Sequence, residues 1–166
     1  MKIIRNKQLH SYCRATLRSI LAVYGKGDLY YVFLVMYLSG ARFSDAVRFL
    51  DWERTKKNYV YTGQKNNRVV MVPIRMMGYE LLKLHKIYNN KNSFSISYQV
   101  ALRVQQANGR NLAVGGRKKL ALHVYRHHKA KYLYGMRYKI EQIQIIIGDA
   151  GKTVMDAYIN SVICEL

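Results

Sequence analysis

The sequence predicts a mainly α-helical fold with a small β-hairpin or β-sheet appendage. Three observations lead there. Apolar residues recur at three-and-four spacing through most of the chain. One stretch alone switches to β-favouring residues, and glycines fall where the periodic segments end. At 166 residues, half of them apolar, the chain can bury a real core as one domain, or one domain with a small appendage.

The first helix is expected over His10 to Tyr24, where Leu17, Ile20, Leu21 and Tyr24 share a face before Gly25 and Gly27 interrupt it. Asp28 can cap a second helix running to Leu38, which Ser39-Gly40 breaks. A third helix begins near Ala41, with Arg42 in its first turn and Ala46, Val47, Phe49 and Leu50 facing the core. After Trp52 the period changes. Tyr59 to Tyr61 and Arg68 to Val72 read as two strands around a Gly-Gln-Lys-Asn-Asn turn, with Lys65 at a mobile tip. Pro73 closes the second strand, and a helix is expected from Ile74 to about Tyr88, followed by an Asn-rich loop. From Ile96 the chain turns helical again until Asn108-Gly109. Arg117, Lys118 and Lys119 lie in a Gly-rich basic loop that fits either a phosphate backbone or plain solvation. Helices are expected over Leu122 to Leu133, over Lys139 to Ile147 with Gly148 as its stop, and over Thr153 to Ile159 before the C-terminal tail.

Charge narrows the function. Lys and Arg number 28 against nine Asp and Glu, a net +19, far beyond what solubility requires. A polyanion is the natural partner, and composition alone leaves both nucleic acid and an anionic membrane surface open. The longest near-continuous apolar run, Leu29 to Leu38, is about half of the ~20 residues a membrane span needs. The N-terminus turns polar before a signal-peptide core forms. Cys13 and Cys164 are the only cysteines, which supports neither a disulfide framework nor a cysteine-based zinc site and reads as free thiols in a reducing compartment.

Several residues then form an ordered series. LSGARFSD holds Arg42 with Asp45 three positions on; the hairpin holds Lys65 eight residues before Pro73. LHVYRHHKA holds His123 and Arg126, IIIGD holds Gly148 and Asp149, and DAYI holds Tyr158, 32 residues after Arg126. Each signal alone is weak: Arg42 also fits a helix-surface cation, Lys65 an exposed turn lysine, His123 a partly buried histidine, and Tyr158 one more packing aromatic. In this order and context the series resembles the catalytic domain of the tyrosine recombinases, the phage-type integrases, over about residues 12 to 160.

The resemblance implies one catalytic domain over residues 1 to 166, without the complete N-terminal helical domain that closes a clamp around DNA, since only 41 residues precede Arg42. It implies cleavage and rejoining of double-stranded DNA through a 3'-phosphotyrosyl bond, with Arg42, Lys65, His123, Arg126 and Tyr158 catalytic and neither cofactor nor metal. It further implies self-association on DNA, with a tetrameric synapse for strand exchange, in a viral or mobile-element integrase. Such a protein would be cytoplasmic and DNA-associated, at a host nucleoid or in a eukaryotic nucleus. Two readings compete: a catalytically weak DNA-binding or architectural protein with this fold, and type IB topoisomerase-like relaxation.

The chemistry stands beside the resemblance. Two guanidiniums can address the nonbridging oxygens of a pentacoordinate phosphorus through planar hydrogen-bond forks, which suits Arg42 and Arg126. A phenol of ordinary pKa near ~10 needs neighbouring positive charge or a base to attack phosphorus, and His123 can serve. Lys65 can protonate the departing 5'-oxygen. Asp149 departs from the family, which places His or Trp there; an ionised carboxylate cannot donate to phosphate, so it is expected to support Arg126 or Lys152 or else to blunt activity. Asp45 is expected to orient Arg42. Arg68, Arg117, Lys118, Lys119, His127 and Lys152 are candidate contacts to the DNA backbone.

Overall fold

A computed structural model describes residues 3–4, 6–111, 122–149, 151 and 163–164. Helix α1, Asn6–Tyr24, buries Leu9, Cys13, Leu17 and Ile20 on one stripe and ends where Gly25 turns left-handed (φ 72°). Helix α2, Asp28–Ser39, is apolar on nearly every side and runs through the core, with Val32, Phe33 and Val35 fully buried. The Asp28 carboxylate accepts from the Tyr88 hydroxyl at 2.9 Å and the Ser95 amide at 2.8 Å, tying down the Asn-rich loop.

Gly40 ends α2 at φ 74°, and a Cβ there would sit 2.8 Å from the Lys129 Cβ, so both backbone hand and close packing call for glycine. Helix α3 is short, Phe43–Val47. Arg42 stands just before it, not in its first turn: its backbone is extended (φ −67°, ψ 155°) and its carbonyl accepts from the Asp45 and Ala46 amides. A tight 3-10 turn over Phe49–Asp51 leads into the sheet.

Strand β1 is Ile3–Ile4, and a separate sheet holds β2, Glu53–Arg54, β3, Asn58–Thr62, and β4, Val69–Pro73. The antiparallel hairpin β3–β4 pairs Tyr59 with Val72 and Tyr61 with Val70, and β2 adds a third strand beside β3. Tyr59, Val70 and Val72 turn inward, and the Tyr61 ring stacks on Trp52 at 3.9 Å. The expected single helix from Ile74 to Tyr88 is instead α4, Ile74–Leu82, broken at Gly78 (φ 72°, ψ 157°), and α5, Leu84–Ile87.

Helix α6, Tyr98–Asn111, packs on α1 and continues through Gly109. Asn108 does not stop it because its side-chain amide donates back to the Val104 carbonyl at 2.9 Å, inside the helix. Helix α7, Val124–Gly135, turns Val124 and Tyr125 into the main core and Ala130 and Leu133 toward α8, Ile140–Ile147. Ile143, Ile146 and Ile147 bury the inner face of α8, each worth about 1.5–3 kcal/mol over exposure. Together with contacts to β4 they hold the end of α8, Gly148, under the start of α7. The last strand, β5, Ile163–Cys164, pairs antiparallel with β1, so this part of the tail packs within its own chain. The expected helix over Thr153 to Ile159 lies outside the described residues.

Candidate active site

Four expected residues meet around one open cleft of about 770 Å3: Arg42, Lys65, His123 and Arg126, with Tyr98 and Phe43 on its rim. They come from the break after α2, the hairpin tip and the start of α7, segments that only the folded core brings together.

Arg126 is the most enclosed member, 1% exposed. Its Nε and Nη2 donate to Asp149 Oδ2 at 3.2 and 2.9 Å, and its Nη1 donates to the Gly40 carbonyl at 3.1 Å. Arg42 Nη2 reaches the other oxygen of the same carboxylate, Oδ1, at 3.5 Å. Asp149 thus bridges the two guanidiniums and offsets one of their two charges. It can do so because Gly148 adopts φ 69°, ψ 42° against Val70, where a Cβ would collide, and turns the chain back so that the amides of Gly148 and Asp149 both donate to the Gln144 carbonyl.

Asp45 was expected to orient Arg42, and its carboxylate goes elsewhere. Oδ1 accepts from the Gln64 amide at 2.9 Å, while its carbonyl accepts from Trp52 Nε1 at 3.1 Å. The reason is geometric: Arg42 precedes α3 and extends toward Asp149, leaving the buried Asp45 to face the hairpin. On the far side of Lys65, Asn66 Nδ2 donates to the Gly148 carbonyl at 2.9 Å and Arg68 Nη1 reaches the Asp149 carbonyl at 3.5 Å. The tip expected to be mobile is therefore tied down on both flanks, and Lys65 itself stays exposed.

The His123 side chain opens to the cleft. It is pushed below the ordinary imidazole value, first by lost solvent and then by the positive charges of Arg126 and Arg42, so it is a neutral acceptor near pH 7. His127 packs its ring edge-on to His123 at 5.3 Å and is pushed down to about 4, chiefly by desolvation. Tyr158, Lys152, Arg117, Lys118 and Lys119 lie outside the described residues. Sequence reasoning missed Asn66 and the Gly40 carbonyl. The polar hairpin turn and the αL glycine were visible in the sequence, but their partners lie 82 and 86 residues away. Among the described residues no three His, Cys, Asp or Glu gather as metal ligands, and no helix is long and apolar enough to cross a membrane.

With the site in view, the fold can be compared with solved proteins. XerH site-specific recombinase bound to palindromic difH substrate, a post-cleavage complex, superposes with a TM-score of 0.64 at 16% identity, over 90% of this chain and 48% of that one. The fold matches a tyrosine recombinase catalytic domain. The pre-cleavage complex of XerH with difH gives 0.61 at 18% identity, over 88% of this chain and 47% of that one. XerA recombinase gives 0.61 at 15% identity, over 90% and 58%. The chain thus spans about half the length of the recombinases it resembles. No protein-family model matches the sequence, and neither does any curated protein.

Proposed function

We propose that this chain is a catalytic domain that cleaves and rejoins double-stranded DNA through a 3'-phosphotyrosyl intermediate, in site-specific recombination or integration of a viral or mobile element. The observation that carries the reading is the convergence of Arg42, Lys65, His123 and Arg126 on one open cleft. In this reading Arg42 and Arg126 hold the nonbridging oxygens of the scissile phosphate. The Tyr158 oxygen attacks phosphorus while its proton passes to neutral His123, and Lys65 protonates the departing 5'-oxygen. A new 5'-hydroxyl reverses the steps, so the phosphotyrosyl ester conserves the linkage without a nucleotide cofactor. The partner is duplex DNA, and strand exchange would need self-association there, as a tetrameric synapse.

A suicide DNA substrate followed by denaturing electrophoresis and peptide mapping tests this. The wild-type chain should form a covalent adduct at Tyr158 that survives excess chelator, and Tyr158→Phe should bind DNA without forming it. An undiminished adduct in that variant would overturn the assignment.

One observation favours the second reading, a catalytically weak DNA-binding protein: Asp149 already engages both arginines. If the carboxylate aligns them, Asp149→Asn lowers single-turnover cleavage more than duplex affinity. Faster cleavage by both Asp149→Asn and Asp149→His, with intact folding, would instead mark a naturally attenuated site.

A further inference from the structure

Helix α7 carries a second enclosed cation beyond Arg126, Lys129, which faces a different cavity beside His128. This cavity, about 340 Å3, lies where α1, α2, α4 and α7 meet and is walled by His10, Tyr37, Arg75, His128, Lys129 and Tyr138 among others, with no carboxylate among its described walls. The Lys129 side chain is buried, 5% exposed, and makes neither an ion pair nor a hydrogen bond among the described residues; its ammonium only overlies the Tyr132 ring at 5.4 Å. His128, 6% exposed, stacks on Tyr37 at 5.1 Å and shares a hydrogen bond between its Nε2 and His10 Nδ1 at 3.0 Å. Its other nitrogen, Nδ1, is buried with no partner among the described residues.

We propose that this cavity binds a phosphate oxyanion, either inorganic phosphate or the phosphate monoester of a nucleotide, at a site separate from the catalytic cleft and independent of the function proposed above. A largely desolvated ammonium with no acceptor among the described residues is costly, and an anion offsets that cost. Of the two tautomer pairs open to the His10–His128 contact, one suits an anion. Where His10 Nδ1–H donates to His128 Nε2, a neutral His128 carries its proton on Nδ1 and lacks only an acceptor. A tetrahedral phosphate in this cavity has oxygens enough to accept from both the Lys129 ammonium and the N–H groups of Arg75 left over by its bond to Tyr138, which a carboxylate or chloride matches less well. Arg75 is already steered by its Nη2 bond to the Tyr138 hydroxyl at 2.8 Å. Tyr132, half exposed beside the cavity, offers a ring face to a nucleotide base.

Electrostatics supports the geometry. Burial pushes Lys129 down to about 8 and His128 down to about 4, with His10 and Lys129 adding repulsion at His128. The groups facing them are His10 from α1, Tyr37 from α2, Arg75 from α4, Tyr132 on α7 and Tyr138 after it, none of them a carboxylate. A bound dianion would raise both groups again.

The test titrates inorganic phosphate into the full chain in chloride buffer while the imidazole resonances of His10, His128 and His123 are followed by NMR. Saturable shifts are expected at His10 and His128, with acetate much weaker, and Lys129→Met should weaken the His128 response at least tenfold without altering that of His123. On the wild-type chain, affinity at His128 should fall as pH rises above about 8, where the free Lys129 loses its proton. A nucleoside 5'-monophosphate that binds tighter than phosphate assigns the site to a nucleotide, and equal affinity assigns it to free phosphate. Shifts confined to His123, a His128 response unchanged in Lys129→Met, or pH-independent affinity between 7.5 and 9.5 would each overturn the proposal.

Discussion

Arg126 and Lys129 lie about one turn apart on the same helix, both almost wholly buried, and differ in everything around them. Arg126 has a carboxylate gripping two of its nitrogens and a carbonyl on the third. Lys129 has an aromatic ring and, among the described residues, no acceptor. Burial alone therefore says little about what a cation does here; the completeness of its bonding does. With three of its five N–H groups bonded to Asp149 and Gly40, the Arg126 guanidinium is held in one orientation and keeps two for the phosphate contact proposed above, whereas an unbonded ammonium lowers stability until an anion arrives.

The largest expected effect breaks the bonded side of that contrast. Asp149→Ala removes one partner of a buried pair and leaves Arg126 with the Gly40 carbonyl as its acceptor. It should destabilise the fold by about 3–5 kcal/mol in urea denaturation, provided the chain does not repack around the arginine. A loss below about 1 kcal/mol would mean that Arg126 reaches water and that the Asp149 bridge is incidental.

The unbonded side should respond with the opposite sign. Lys129→Met keeps the chain length and removes the charge, so in phosphate-free buffer it should stabilise the protein by about 1–3 kcal/mol at pH 7. The folded pKa lies below the unfolded value, so the unfolded chain binds more protons between about 8 and 10.5 and wild-type stability rises with pH across that window. The variant should lose that rise. Histidine supplies a smaller, acid-side counterpart. His128 is pushed down to about 4, so folded protein refuses a proton that the unfolded chain accepts, and stability falls as pH drops from about 6.5 toward 4. His128→Gln should flatten that fall by up to one proton's worth of slope, measured as denaturation midpoint against pH.

The sequence carried the parts of this contrast that local chemistry decides. Gly40 and Gly148 mark helix ends because their left-handed backbones suit no other residue so well, and the hairpin declared itself by a change of period. What stayed hidden was pairing at a distance. Asp149 could be read as out of place beside phosphate, yet its grip on Arg42 spans 107 residues and exists only because α8 packs against β4. Asp45 was assigned to its sequence neighbour Arg42, and the backbone entering α3 sends it to the hairpin instead. Nothing in the sequence set Lys129 and His128 apart, since a helical period does not distinguish a buried lysine from an exposed one until α1 and α2 close over it.

The smallest effect on stability should have the most specific effect on chemistry. Asn66 lies beside Lys65 and donates to the carbonyl of Gly148, the residue before the Asp149 bridge, so this bond, with the longer one from Arg68 to the Asp149 carbonyl, joins the hairpin tip to the turn that holds both arginines. Asn66→Ala removes the bond to Gly148 together with the exposed one its Oδ1 accepts from the Arg68 amide, and because the side chain is half-buried the loss should be about 1 kcal/mol or slightly more. The Gln64–Asp45 bond persists on the other flank, so the hairpin should remain folded while Lys65 gains freedom to leave the cleft. If Lys65 protonates the departing 5'-oxygen, adduct formation should slow severalfold with duplex affinity unchanged. A substrate whose leaving group needs no proton, such as a 5'-bridging phosphorothioate, should restore most of the rate. Failure of that rescue alongside a slow Asn66→Ala would show that the bond serves the arginines through Gly148 and Asp149, placing the hairpin's influence on the phosphate oxygens instead of the leaving group.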